Sequence, residues 1–138
     1  MKKLILRLVF PLTMLSFLFV TKSWFVHVVD GPDKYMRGFP LICEGQGFHT
    51  SMSTQIFVGE FFLNLLSYFL FWFIIVYLFN RFLLKIKLHK AAYRFLIFLS
   101  VLALALYASM LTLGDVEFKL SRDFDVEVKS TSITFLGL

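Results

Sequence analysis

The chain reads as a membrane protein, mainly α: three transmembrane helices, a structured external loop and a short external β-hairpin or strand tail. Three observations predict this class. Apolar runs cover Leu4–Val20, Ile56–Phe79 and Phe95–Leu113, each near the roughly 20 residues that a helix rising about 1.5 Å per residue needs to cross a hydrocarbon core of about 30 Å. Composition agrees: 59% of the 138 residues are hydrophobic, mean hydropathy is +0.80 and 19 residues are Phe, against roughly 45–50% apolar residues in soluble domains. Charge, finally, is sorted by sign between successive segments.

Residues 1–22 are expected to form the first transmembrane helix. Lys2, Lys3 and Arg7 open it without an acidic residue. The apolar stretch is longer than the usual roughly 7–15 residues of a cleaved signal, and no Ala-x-Ala pattern follows, so an uncleaved signal anchor is expected. Pro11 removes a backbone donor and crowds the preceding turn, which predicts a kink. Trp24 and Phe25 then stand where amphipathic rings favour the headgroup level.

Residues 23–55 form the external loop. Asp30-Gly31-Pro32-Asp33, Gly38-Phe39-Pro40 and Gly45-Gln46-Gly47 read as three breaks in chain direction. Its many apolar residues, among them Val26, Val28, Met36, Ile42 and Phe48, predict an ordered cap lying on the membrane surface or docked to a partner. Ser53 or Thr54 is the expected N-cap of the next helix.

Residues 56–80 are the second span. Glu60, Asn64, Ser67 and Tyr68 recur at helical spacing and share one face. A carboxylate and an amide in lipid turn toward protein or water, so this stripe is expected to face helices one and three or a partner. Lys22, at the outer end of helix one, is the expected partner of Glu60. Its other reading is a proton or cation relay. The surrounding rings, such as Phe69, Phe71, Trp72 and Phe73, point in too many directions to mark one seam.

Residues 81–94 form a basic link, with Arg81, Lys85, Lys87, Lys90 and Arg94 and no acid. With the amino-terminal cluster it holds eight of the fourteen basic residues, and it reads as cytoplasmic, because Lys and Arg in short loops resist translocation. Every acidic residue except Glu60 lies in the loop or the tail. The expected topology is N-terminus in and C-terminus out, in a bacterial inner membrane with a periplasmic loop and tail. The net charge of +5 is thus explained by orientation and anionic headgroups, and nucleic acid is not an expected partner.

Residues 95–113 are the third span. Ala105, Ala108, Ser109 and Thr112 form a small-residue stripe in its outer half, a surface that lets backbones approach closely. It is expected to pack against the Glu60–Asn64–Ser67 face. Residues 114–138 switch to strand alternation: Val116, Phe118 and Leu120, then Phe124, Val126 and Val128, continued by Ile133 and Phe135. Ser121-Arg122-Asp123 can turn a hairpin. A lone hairpin is marginal, so the tail is expected either to pack on the loop, where Trp24–Val29 can add a strand, or to augment a partner's sheet.

No catalytic, cofactor or metal site is expected. The single Cys43 excludes an internal disulfide, His27, His49 and His89 lie outside the spans, and Cys43, Glu44 and His49 supply neither four zinc ligands nor an assembled nucleophile. The expected function is that of a non-enzymatic accessory or assembly subunit of a larger membrane complex. It would act through loop and tail on other membrane subunits or an external soluble or envelope protein, with Glu60, Asn64, Ser67, Ala105, Ser109 and Thr112 as its interaction residues. The alternative is an oligomeric transporter-like or ion-conducting protein using Glu60.

Overall fold

A computed structural model of the chain describes residues 4–29, 31–47, 53–83 and 89–135. Lys2, Lys3, Asp30, Phe48, His49, Lys85 and Lys87, all used in the reading above, lie outside them.

Two helices are long and apolar enough to cross a membrane, Val58–Phe82 and Lys90–Leu113, and a shorter apolar helix spans Ile5–Phe19. We label the helices α1 (Ile5–Phe19), α2 (Val58–Leu78, prolonged by a wide turn Phe79–Leu83) and α3 (Lys90–Leu113). The strands are β1 (Val20–Val28), β2 (Asp33–Arg37), β3 (Glu44–Gln46), β4 (Thr54–Phe57), β5 (Val116–Lys119) and β6 (Val126–Phe135). They form one sheet in the order β5-β4-β3-β2-β1-β6, with β4 and β5 parallel and every other pair antiparallel. Loop and tail are therefore one β unit, and the chain is α + β rather than helical with a β appendage.

Helix α1 begins with a π-turn, Ile5–Val9, in which the Phe10 N–H donates to Ile5 O, five residues back. Pro11 has no N–H, and its ring would press on the carbonyl four residues earlier. The widened turn directly before it relieves that conflict, so the irregularity expected at Pro11 is a π-turn. The helix ends at Phe19, and Val20 and Thr21 already belong to β1. Residues 20–22 thus leave the expected first span, because β-branched and aromatic residues dominate from Val20 to Val28 and find a paired strand. At about 1.5 Å per residue α1 is about 22 Å long, shorter than a full crossing of about 30 Å.

A second boundary moves for the same reason. Thr54–Phe57 is β4, so α2 starts at Val58 with Phe57 as its cap residue and no side-chain cap bond. Neither Ser53 nor Thr54 caps it; instead the Gly59 N–H donates to Leu120 O at 2.9 Å, one of the orphan donors every helix start must place. Helix α3 starts at Lys90, earlier than Phe95, with Nδ1 of His89 accepting from the Ala91 N–H.

The tail pairs with the loop, as one of the two expected alternatives had it: β6 runs antiparallel to β1 from Val20↔Phe135 to Val28↔Val126, with a register shift at Phe25/Val26. It is not a hairpin. Strands β5 and β6 sit on opposite edges of the sheet, joined by residues 120–125. Val29 N–H donates to Asp125 O at 3.2 Å, and Phe124 packs edge-on against Phe57 of β4 at 5.9 Å between centroids. The connection therefore crosses the inner face, and the sheet curls around it. Val26, Val28, Met36, Ile42 and Phe57 form the buried core there, with Trp24, Phe124 and Val126 around them. Strand alternation puts Lys34 and Met36 inward on β2 and leaves Asp33, Tyr35 and Arg37 outward.

Helix α1 packs against both α2 and α3. Phe17 meets Phe61 and Tyr68 edge-on at 4.9 and 5.7 Å, the Trp72 Nε1–H donates to Ser16 Oγ at 2.8 Å, and Arg7 lies over the Tyr93 ring. The buried positions of α3 are Ser100 and Ala103. Ala105, Ala108, Ser109 and Thr112 are exposed, and the hydroxyls of Ser109 and Thr112 donate back to their own helix, to Leu106 O and Ser109 O. The expected seam between this stripe and the Glu60–Asn64–Ser67 face does not form within the chain. Helix α1 takes the other face of α3, and the first turns of α2 are covered by the loop.

Candidate functional site at the helix–sheet junction

The end of α1, the start of α2 and the end of α3 all lead into the sheet, so the junction is where polar chemistry meets apolar helices. Asn64 is its anchor. It is 0% exposed; its Nδ2 donates to Leu41 O at 2.7 Å and its Oδ1 accepts from Leu41 N at 2.9 Å. One side-chain amide thereby satisfies both main-chain polar groups of Leu41, a residue outside the strands. The segment it clasps is tightly built. Gly38 has φ +142°, Phe39–Pro40 is cis, and a Cβ on Gly38 would stand 2.1 Å from Leu41 O. Only glycine fits there. Trp24 Nε1–H donates to Gly38 O at 2.7 Å.

Cys43 follows the clasp. Its backbone joins Arg37 O and Phe57 N, and burial pushes the thiol up to about 11 despite a hydrogen bond with Asn64. A thiol held in that state is a poor nucleophile at neutral pH. Glu44, the next residue, is the cross-strand neighbour of Arg37. Burial raises the pKa of its carboxyl, opposed by the Arg37 charge.

Arg37 and Glu44 line two spaces at once. On the outward face of the sheet, a basin of about 390 Å³ is bounded by Ser23, Tyr35, Arg37, Glu44, Gln46, Thr54 and Thr134; Ser23 and Thr134 share a hydrogen bond there. Toward the helices, a cavity of about 270 Å³ is bounded by Phe17, Leu18, Phe61, Ala103, Leu106, Tyr107 and Met110 together with Arg37, Cys43 and Glu44. A third, apolar groove of about 590 Å³ lies between α1 and α2 beside Phe39, Ser67, Tyr68, Trp72 and Ile133.

The residues singled out in the sequence fall differently. Glu60 does not meet Lys22: its Oε1 accepts from the Arg122 N–H at 3.4 Å, its Oε2 is buried without a partner, and Lys22 lies over the Trp24 ring at 4.0 Å. The 120–122 turn covers the start of α2 and reaches the carboxylate first. Ser67 donates to Leu63 O in its own helix, while Tyr68 ties α2 to the α1–β1 corner through Val20 O at 2.6 Å. Arg37 went unnoticed as a site residue, since its pairing with Glu44 exists only once both are seen as strand residues. Among the described residues no three of His, Cys, Asp and Glu gather in a metal-holding arrangement.

The far end of the sheet carries a charged cluster. Asp33 accepts from Lys129 Nζ at 2.7 Å and lies 2.6 Å from His27 Nδ1, joining β2, β6 and β1. Beyond it the outer edge of β6 pairs with no strand among the described residues, and Val128, Ile133 and Phe135 are exposed there. The chain matches no known family model, no curated protein and no solved structure.

Proposed function

We propose that the chain is a non-enzymatic integral membrane protein whose three helices anchor the curled sheet on the external side, where it serves as a docking platform for an accessory or assembly role. The membrane reading is supported by the apolar surface of the long helices: only 11% of the best window of each is buried, and Phe62, Phe71, Phe82, Phe95, Phe98 and Met110 all face outward. A soluble protein rarely exposes so wide an apolar band. The sorted charges support the orientation with the N-terminus in and the sheet outside the cytoplasm.

One observation carries the docking role: β6 is a ten-residue edge strand without a proline or a covering element among the described residues. Exposed edges of that length invite another strand, and proteins usually blunt them. A partner adding a strand to β6 would gain main-chain hydrogen bonds and contacts to Val128 and Ile133. The ion-conducting alternative draws on Glu60 alone, whose contact is with the Arg122 backbone rather than a neighbouring helix.

Successive N–H groups of a strand point to opposite sides, so of Thr131 and Ser132 one donates to β1 and the other faces outward. A photo-crosslinking residue at Ile133 should give an adduct of discrete mass in membranes. Proline at the outward-facing position should abolish it while the fold persists. An adduct unchanged by proline at either position, or none at all, would contradict docking at this edge.

A further inference from the structure

We propose that the outward basin and the junction cavity together bind one aminophospholipid, its headgroup in the basin and the first part of an acyl chain in the cavity. The two spaces share a wall, Arg37 and Glu44, and their other linings are opposite in kind: hydroxyls and amides on one side, apolar side chains on the other. An amphiphile is the ligand that such a pair fits. The cavity opens between α1 and α3, where Leu106 and Met110 are 59% and 74% exposed, so a chain lying in it runs on into hydrocarbon. Phe17 and Phe61, packed edge-on, close its opposite wall.

The shared wall also selects the headgroup. A guanidinium offers a bidentate fork to a phosphate, and a carboxylate beside it accepts from an ammonium, so Arg37 and Glu44 as cross-strand neighbours present the charges of a zwitterion in complementary order. A primary ammonium donates hydrogen bonds to Glu44, whereas a quaternary one cannot and is held instead by aromatic cages. Ser23, Thr54 and Thr134 supply further hydroxyls to the phosphate and glycerol oxygens.

The inference rests on the membrane reading, and one experiment separates the two. The full chain, extracted in mild detergent, is titrated with phosphatidylethanolamine, phosphatidylcholine and phosphatidylglycerol of identical chains, and retained lipid is read by native mass spectrometry. Phosphatidylethanolamine should be retained about tenfold more tightly than phosphatidylcholine, a difference of about 1.4 kcal/mol. Glu44→Gln should remove that preference, Arg37→Gln should weaken both lipids, and Ala103→Phe, which fills the cavity, should displace them with the circular dichroism spectrum unchanged. Equal retention of the three lipids by the native chain overturns the site, as does full retention by Ala103→Phe. A chain that stays soluble without detergent overturns the membrane reading as well.

Discussion

Asn64 fills a position that the sequence marks only as expensive. An amide near the outer end of an apolar helix needs a partner, and the periodicity that puts it on the face of Glu60 and Ser67 points to another helix. The partner is the Leu41 backbone, which periodicity cannot reveal, because every residue carries the same peptide group. Glu60 illustrates the same limit: its acceptor role is met by the Arg122 N–H, and Lys22 is drawn to the face of Trp24. Replacing Asn64 by Ala removes the partner of the part-buried N–H and C=O of Leu41, at about 0.5–1.5 kcal/mol for each hydrogen bond lost. Asn64→Ala should lower the stability of the detergent-solubilised protein by about 1–3 kcal/mol in denaturant unfolding. It should also speed maleimide labelling of Cys43, whose thiol is held at about 11 and buried in the native chain. Unchanged stability together with unchanged Cys43 labelling would show that the clasp does not secure the 38–43 segment.

At the scale of elements, helices were legible and the sheet was legible in halves. Long apolar runs locate α2 to within a turn and the end of α3 at Leu113, while α3 starts at Lys90, more than a turn before the apolar run from Phe95. The alternation from Val116 to Phe135 marks β5 and β6, and Trp24–Val29 marks most of β1. Strands β2 and β3 are short and lie among the breaks at Gly31-Pro32, Gly38, Pro40 and Gly45, so they read as a turning loop, while β4, Thr54–Phe57, reads as the cap and first residues of the second span. That masked the parallel β4–β5 pair, which depends on α2 and α3 carrying the chain away and back. The edge that holds β1, β2 and β6 together through Asp33 gives a pH test. Lys129 chiefly, and His27 next, hold the Asp33 carboxyl below its ordinary 3.8. A carboxyl depressed in the folded state contributes stability above its unfolded value, and that contribution is lost as pH falls through the folded one. Native protein should therefore lose stability below about pH 4 more steeply than Asp33→Asn, and the gap should shrink at high salt, because these charges are exposed. Parallel acid-unfolding curves for the two proteins would leave the cluster without an energetic role.

For the whole molecule, the asymmetry of content is the feature that unites the account. Basic residues without an acid gather at the end of the helices opposite the sheet, with Arg7 and Arg81 among those described, whereas the strands mix the acids Asp33, Glu44, Glu117 and Glu127 with Lys22, Lys34, Arg37, Lys119 and Lys129. Helix α1, sandwiched between α2 and α3, passes directly into β1, the strand that receives β6, so anchor and platform are joined through a continuous stretch of chain. The curl of the sheet then sets Arg37 and Glu44 at the border between basin and cavity, and leaves the β6 edge on the far side without a paired strand among the described residues. The docking role, as proposed, requires the sheet to lie outside the cytoplasm. The most direct measurement is cysteine accessibility in intact bacteria expressing the chain. In a Cys43→Ser background, single cysteines are placed at Thr131 on β6 and at Lys90 at the start of α3, and exposed to a membrane-impermeant maleimide. With the sheet outside the cytoplasm, residue 131 should label rapidly in intact cells and residue 90 only after lysis; labelling at 90 with protection at 131, or equal labelling of both in a soluble fraction, would contradict that placement.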